Sequence, residues 1–275
     1  MSESEQCTKA ALRAEVKSLD LDGDSDAVEL GMVIDKQRCV GCGGCNIGCA
    51  RENNLDEGVA PAFSSSIIET QGTFPEVGWD YTPTLCNHCA DAPCVSGCPT
   101  TALYKGEGGV TMHNPDRCIG CKYCIVNCPY DEIHYLKEDP HQRWDREEGV
   151  IEGATASPTE VIEETDREVT PFYNPNREVG EHEHPTRHRG IVEKCTFCIH
   201  RVAEGELPAC VEACPAEARI FGDLNDPDSK VREILGKYDQ EVLKEEKGTN
   251  PKVMYVREFN GDGYDPGKGE PGLED

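Results

Sequence analysis

Sixteen of the seventeen cysteines in this 275-residue chain fall into four clumps. The first holds Cys39, Cys42, Cys45 and Cys49, and the second Cys86, Cys89, Cys94 and Cys98. The third holds Cys118, Cys121, Cys124 and Cys128, and the fourth Cys195, Cys198, Cys210 and Cys214. The first and third read C-x2-C-x2-C-x3-C. The second and fourth stretch the middle gap but keep the opening C-x2-C and the closing C-x3-C-Pro, with Pro99 and Pro215. Three closely spaced thiolates in a short loop can all face one compact metal centre. The fourth, set apart by three residues, is placed to reach another.

That division of labour is the chemistry of ferredoxin-type [4Fe–4S] clusters, in which the fourth cysteine of each run ligates the neighbouring cluster. Disulfides do not fit clumps of this spacing. A zinc site is compatible with a lone C-x2-C pair, but much less with four clumps that each supply a third and a fourth cysteine. Proline suits the turn out of a closing segment, because it fixes φ and donates no hydrogen bond.

The clumps repeat. Arg38-Cys39-Val40-Gly41-Cys42 parallels Arg117-Cys118-Ile119-Gly120-Cys121, and Pro93-Cys94-Val95 parallels Pro208-Ala209-Cys210-Val211. Loop lengths suggest how they pair. Nineteen residues separate Cys98 from Cys118, against 36 between Cys49 and Cys86 and 66 between Cys128 and Cys195. The second and third clumps therefore form one compact unit, and the first and fourth close around it. With the fourth-cysteine swap, Cys39, Cys42 and Cys45 take Cys214, and Cys195, Cys198 and Cys210 take Cys49. Likewise Cys86, Cys89 and Cys94 take Cys128, and Cys118, Cys121 and Cys124 take Cys98.

Positioning these loops calls for short elements around them. Strands are expected at 31–35, 109–112, 133–136 and 218–221, and short helices from near Cys45, Cys94, Cys124 and Cys210. The expected fold class is α+β: two interleaved ferredoxin-like two-cluster units with long loops and an acidic insertion. The expected divisions are an acidic tail at 1–28, the first part of the outer unit at 29–80 and the inserted unit at 81–137. An acidic insertion at 138–190, the rest of the outer unit at 191–256 and a mobile tail at 257–275 complete them. Val231 to Leu243 reads as one amphipathic helix.

Fifty-three acidic against 27 basic residues give a formal charge of −26. Nucleic-acid binding is disfavoured, since it needs a basic face to neutralise phosphates. The acid is spread along the chain, which suits a halophilic source: at molar salt the Debye length falls to about 3 Å and self-repulsion is screened. No run of about 18 apolar residues is present, so no direct membrane span is expected. The first fifteen residues lack an apolar signal-peptide core. Neither a phosphate-binding glycine loop nor a nucleophile–base pair stands out. His182, His184 and His188 read as a solvated loop, with zinc the other reading, and Cys7 reads as a free thiol. Arg117, Lys122, Lys194 and Arg201 are candidates to raise cluster potentials, or ordinary salt-bridge partners. His88 and His200 are candidates for hydrogen bonds near the clusters, or spacers.

The similarity reaches beyond spacing. Leu85-Cys86-Asn87-His88-Cys89, Cys98-Pro99-Thr100, Asp116-Arg117-Cys118-Ile119-Gly120-Cys121, Cys128-Pro129-Tyr130, Lys194-Cys195-Thr196-Phe197-Cys198 and Phe221-Gly222-Asp223-Leu224 resemble the four-cluster iron–sulfur subunits of the dimethyl sulfoxide reductase family of molybdopterin oxidoreductases. The resemblance covers about residues 29–137 and 191–256. It implies an electron-transfer subunit, not catalytic alone, that binds four [4Fe–4S] clusters through the sixteen clumped cysteines. Its implied partners are a molybdopterin catalytic subunit and a quinol-oxidising membrane anchor subunit or other electron donor. It also implies attachment to a membrane through those partners, on the outer face by co-export with a folded partner, or else on the cytoplasmic side. Three departures are visible: Asp131 stands where the family often has glycine, Ala50, not proline, follows the first clump, and the insertion at 138–190 is longer than the family leads one to expect. The alternatives are an iron–sulfur subunit of a membrane-bound hydrogenase or other quinone-linked complex, and a zinc-stabilised scaffold. The halophilic reading has a direct check: on dialysis to low salt, circular dichroism should show loss of structure, and an unchanged spectrum counts against it.

Overall fold

The computed structural model describes residues 9–21, 28–53, 55, 63–137 and 189–257. Its central sheet runs through β1 (Leu30–Asp35), β8 (Arg219–Asp223), β9 (Gln240–Glu241) and β10 (Val253–Val256), in the order β8-β1-β10-β9. β1 pairs antiparallel with β8, Val33 opposite Ile220, and parallel with β10, Met32 opposite Val253. All residues of β1, β8 and β10 are buried. Strands buried on both faces need continuous apolar runs, which Met32-Val33-Ile34 and Val253-Met254-Tyr255-Val256 supply. The expected strands at 31–35 and 218–221 are β1 and β8.

The helices that carry closing cysteines pack in pairs. α2 (Gly44–Glu52), with Cys45 and Cys49, packs on α6 (Ala209–Glu212), which bears Cys210. α3 (Pro93–Ser96), with Cys94, packs on α4 (Tyr123–Asn127), with Cys124. Proline at the first position of α3 loses no helical hydrogen bond, because the first N–H groups are unpaired in any helix. Two short hairpins flank the second pair: β4 (Leu103–Lys105) on β5 (Thr111–His113), and β6 (Ile133–Tyr135) on β7 (Val192–Lys194). The expected strands at 109–112 and 133–136 thus appear as β5 and β6, each displaced by a residue or two.

Apolar side chains gather in two clusters. One joins the central sheet to Phe197, Leu207 and Val211 and takes in Cys49, Cys195 and Cys210. The other gathers Leu103, Ile133 and Val192 around Cys89, Cys94 and Cys124. The fold is α+β, as expected.

Three stretches differ from expectation. Lys9–Lys17, inside the expected tail, forms helix α1, whose Leu12 and Val16 lie one turn apart and are buried in the first core. The chain also builds a long hairpin, β2 (Ser64–Thr73) on β3 (Glu76–Leu85), that runs across the division expected at residue 80. The helix expected over 231–243 starts as α7 (Lys230–Lys237), capped by the Ser229 hydroxyl accepting from Arg232 N–H, and stops early. Tyr238 is extended, and Gln240 and Glu241 pair with Val256 and Tyr255 as β9. Gly236 weakens the end of that helix, and the open edge of β10 supplies the backbone partners that a further helical turn would have.

Remaining connections tie the motifs together. The Glu52 carboxylate at the end of α2 takes hydrogen bonds from His200 Nε2 at 2.8 Å and Arg201 Nη1 at 2.9 Å. Both partners sit on α5 (Ile199–Ala203), so the first and fourth motifs are pinned by charge as well as by packing. The bond from His200 comes first in holding the Glu52 carboxyl below the usual carboxylate range, ahead of the opposing effect of burial.

Candidate iron–sulfur centres

Two cavities open between the motifs. One is lined by Cys39, Cys42, Cys45 and Cys214, together with Pro83 and Arg219. The other is lined by Cys98, Cys118, Cys121 and Cys124, together with His113 and Val192. In each, three cysteines of one clump meet the last cysteine of a distant one. The two remaining groups are more deeply buried. Burial pushes the Cys49 thiol up, and the nearby Cys195 and Cys210 push it further. Cys198 is raised by burial and then by Cys210 and Cys49. Cys94 is pushed up to about 12 by burial, with Cys86, Cys128 and Cys89 adding to the rise. Cys124 is pushed up to about 11 by burial and by Cys118, Cys121 and Cys98. In both cavities, and around Cys49 and Cys94, cysteines from two different clumps lie near one another.

Thiols crowded and buried in this way stay protonated and inert on their own. A metal changes that, because coordination removes the proton and the cation offsets the buried charge. Among the described residues, no three of His, Cys, Asp or Glu stand close enough together to hold a single ion. A zinc site needs four sulfurs each about 2.3 Å from one atom. Thiols spread around a shared cavity suit a larger inorganic guest.

Backbone amides finish the preparation. Ala218 N–H points at Cys214 Sγ at 3.3 Å and Phe197 N–H at Cys195 Sγ at 3.4 Å, while Asn53 Nδ2 stands 3.5 Å from Cys49 Sγ. For Cys98, burial is outweighed by N–H groups of Leu103, Thr100 and Ala102 and the Thr100 hydroxyl, so its thiol is lowered. Hydrogen bonds to ligand sulfur are one of the main means by which a protein tunes a cluster.

The second-rank candidates divide. Lys194 is buried, and its ammonium donates to the carbonyls of Thr111 and Cys195, so its charge does lie among the clusters. Arg201 is occupied by Glu52 and Glu206, which is the ordinary salt-bridge reading. Lys122 lies over the Tyr135 ring, and Arg117 is exposed. His88 is fully buried and stacks on Phe197, with ring centroids 3.7 Å apart; its Nδ1 accepts from Thr111 N–H. Burial first, then the charges of Lys194, Lys105 and Lys252, hold His88 well below its ordinary value, so it is neutral. Cys7 and the three insertion histidines lie outside the described residues.

Sequence reasoning passed over Arg219. It sits in β8 at 2% exposure and reaches Cys45 Sγ and Ser64 Oγ. The available signal was an arginine inside the otherwise apolar strand Ala218-Arg219-Ile220-Phe221. The structure also accounts for the departure at Asp131: its φ is +59°, a left-handed geometry natural to glycine and tolerated by aspartate.

A family model described as a 4Fe-4S dicluster domain matches residues 77–148 and 181–224. The arsenate respiratory reductase iron–sulfur subunit of Shewanella sp. (strain ANA-3) is 48% identical over 232 residues, 84% of this chain and 97% of that one. A putative iron–sulfur subunit of dimethyl sulfoxide reductase from Halobacterium salinarum is 38% identical, covering 82% of this chain and 78% of its own length. The corresponding subunit of tetrathionate reductase from Salmonella typhimurium is 34% identical over 231 residues, 82% of this chain and 71% of that one.

The chain belongs to the iron–sulfur subunits of the dimethyl sulfoxide reductase family. Like them it binds [4Fe–4S] clusters and moves electrons, with no catalysis of its own. Among its described residues, no helix is long and apolar enough to cross a membrane.

The glycines of the repeated Arg-Cys-x-Gly-Cys segments supply a test of the loop geometry in this iron–sulfur subunit. Gly41 and Gly120 share a φ of +65°, which costs a non-glycine residue about 1 kcal/mol or more. A methyl at Gly120 would also strike the Gly190 carbonyl, which is backbone and cannot turn aside, whereas one at Gly41 would meet the Tyr81 ring. Gly120→Ala is therefore expected to lose about a quarter of the bound iron and Gly41→Ala less, read by iron analysis of anaerobically purified protein.

Proposed function

We propose that this chain is the relay between a molybdopterin catalytic subunit and a quinol-oxidising membrane anchor, or another electron donor, in an anaerobic respiratory reductase. Four [4Fe–4S] clusters would occupy the four cysteine groups, each passing one electron at a time when bound. The ligand sets are Cys39, Cys42, Cys45 with Cys214; Cys195, Cys198, Cys210 with Cys49; Cys86, Cys89, Cys94 with Cys128; and Cys118, Cys121, Cys124 with Cys98. The observation that carries this reading is the meeting of each clump's first three cysteines with the last cysteine of its partner clump, as around the two cavities.

The same meeting supports two interleaved ferredoxin-like units, the outer from the first and fourth motifs and the inner from the second and third. The paired helices α2 with α6 and α3 with α4 are consistent with this. The proximity of Cys45 to Cys210 and of Cys86 to Cys195 supports the order of the groups from the Cys42 end to the Cys121 end. The residues around the chain of clusters have clear tasks: buried side chains exclude water, N–H groups face the sulfurs, and rigid strands fix the spacing.

Exposure supports one entry and one exit. Cys42 and Cys121 are the two exposed cysteines among those described. Beside them stand exposed Val40 and Ile47 at one end, and Ile119, Tyr123 and Val126 at the other. Apolar side chains left in water around an electron-transfer edge suit contact with partner subunits. Docking of this kind would place the chain at a membrane without a span of its own. The arsenate relative, matched over nearly its whole length, supports a catalytic partner that reduces an oxyanion.

Affinity purification of the full chain from anaerobically grown cells is expected to bring down a large molybdenum-containing subunit and to yield about sixteen irons per chain. A nickel-containing partner would instead support the hydrogenase reading, and zinc without iron would overturn the relay. For the ligand sets, Cys214→Ser is expected to remove the same EPR signal as Cys39→Ser, and Cys49→Ser the same signal as Cys195→Ser. Cys214→Ser acting on the Cys195 signal would refute the pairing.

A further inference from the structure

Arg219 is the one arginine among the described residues whose guanidinium is buried between two of the cysteine groups. Its Nη2 lies 3.5 Å from Cys45 Sγ and 2.7 Å from Ser64 Oγ, and Nη1 lies 3.9 Å from Met32 Sδ. Cys45 belongs to the first proposed ligand set. Cys210 belongs to the second, and the Arg219 charge lowers its thiol against the rise that burial causes. Cys39, of the first set, is also under its influence. Glu132 lies in its electrostatic surroundings, and burial first pushes that carboxyl up to about 7, against the pull of the guanidinium.

An arginine in such a place is costly. A guanidinium stays protonated at any accessible pH, and an unpaired buried charge costs several kcal/mol. No carboxylate salt bridge to Arg219 is present among the described residues. Its partners are a hydroxyl, a thioether and cysteine sulfur. Those partners make sense if negative charge arrives on the sulfur side. Lys194 differs, because its ammonium is spent on two backbone carbonyls.

We propose that Arg219 is a positioning residue for electrons: a fixed cation shared by the clusters of the Cys39 and Cys195 groups that raises the potential of both. The inference rests on the four-cluster reading. In each transfer one cluster is oxidised by one electron and its neighbour reduced by one, with no proton moved. The extra negative charge on either neighbour lies close to the same guanidinium. A cation shared by both would shift the two potentials together, leaving the gap between these clusters unchanged while raising both relative to the other two. Ser64, on β2, holds the guanidinium by accepting from its Nη2 at 2.7 Å.

The test is EPR-monitored redox titration of the full chain, with the clusters assigned by the cysteine variants above. Arg219→Gln and Arg219→Met are expected to keep about sixteen irons. The two clusters of the Cys39 and Cys195 groups should shift downward in potential, so that at a fixed ambient potential their reduced-to-oxidised ratio falls about tenfold. The other two should not move, and Arg219→Lys should restore most of the shift. Four intact clusters with unshifted potentials overturn the inference while leaving the relay standing, as does an equal shift of all four. If neither neutral variant holds four clusters, Arg219→Lys decides: full loading supports the cation, and loss there too assigns Arg219 to packing. Wild-type protein without iron would instead refute the relay itself.

Discussion

Everything in this chain depends on taking thiols out of water. A thiolate in a low-dielectric interior is unfavourable, and several thiolates side by side repel one another. Burial first, and neighbouring cysteines after it, raise the Cys49, Cys195 and Cys198 thiols far above their ordinary range, and burial raises Cys210 as well. Iron resolves the conflict, because it takes the place of the protons and spreads the charge over a cluster. Folding and cluster binding are coupled for that reason: sulfurs this close are stable neighbours when metal bridges them.

The same coupling explains why a modest apolar core suffices. The central sheet of β1, β8, β9 and β10 is tightly filled, but the region of the second and third motifs is built from three-residue strands and helices of four or five residues. Elements so short do not stand alone. Clusters held as proposed, by cysteines from two motifs at once, would cross-link them where side-chain packing is thin. Glu52 with His200 and Arg201, and α1 laid on β8, add ordinary contacts at the periphery of the larger core.

Function follows from where burial is relaxed. The inner cysteine groups are closed off from water, while Cys42 and Cys121 reach the surface beside apolar side chains at equivalent positions of two related motifs. In the proposed relay, an internal repeat would thereby become a path with two ends. Charges along the path are few and placed by backbone geometry: Lys194 by β7, Arg219 by β8. Each occupies a position where a neutral apolar residue would pack more cheaply.

The cysteine spacing alone pointed to the metal chemistry and to the three cysteines that each clump offers one cluster, because ligand separation within a loop is a local property. It also located the strands and helices beside each motif, since those are written in short apolar runs and in proline and glycine placement. Only the tertiary structure decided which charged residues face sulfur. Arg201 and Arg219 look alike in sequence, yet one is held by two carboxylates at the surface and the other is sealed between two cysteine groups. The hairpin of β2 and β3, the helix α1 and the early end of α7 were decided there as well. Each depends on a partner strand or a core face contributed by residues far away along the chain, and no local pattern records such a partner.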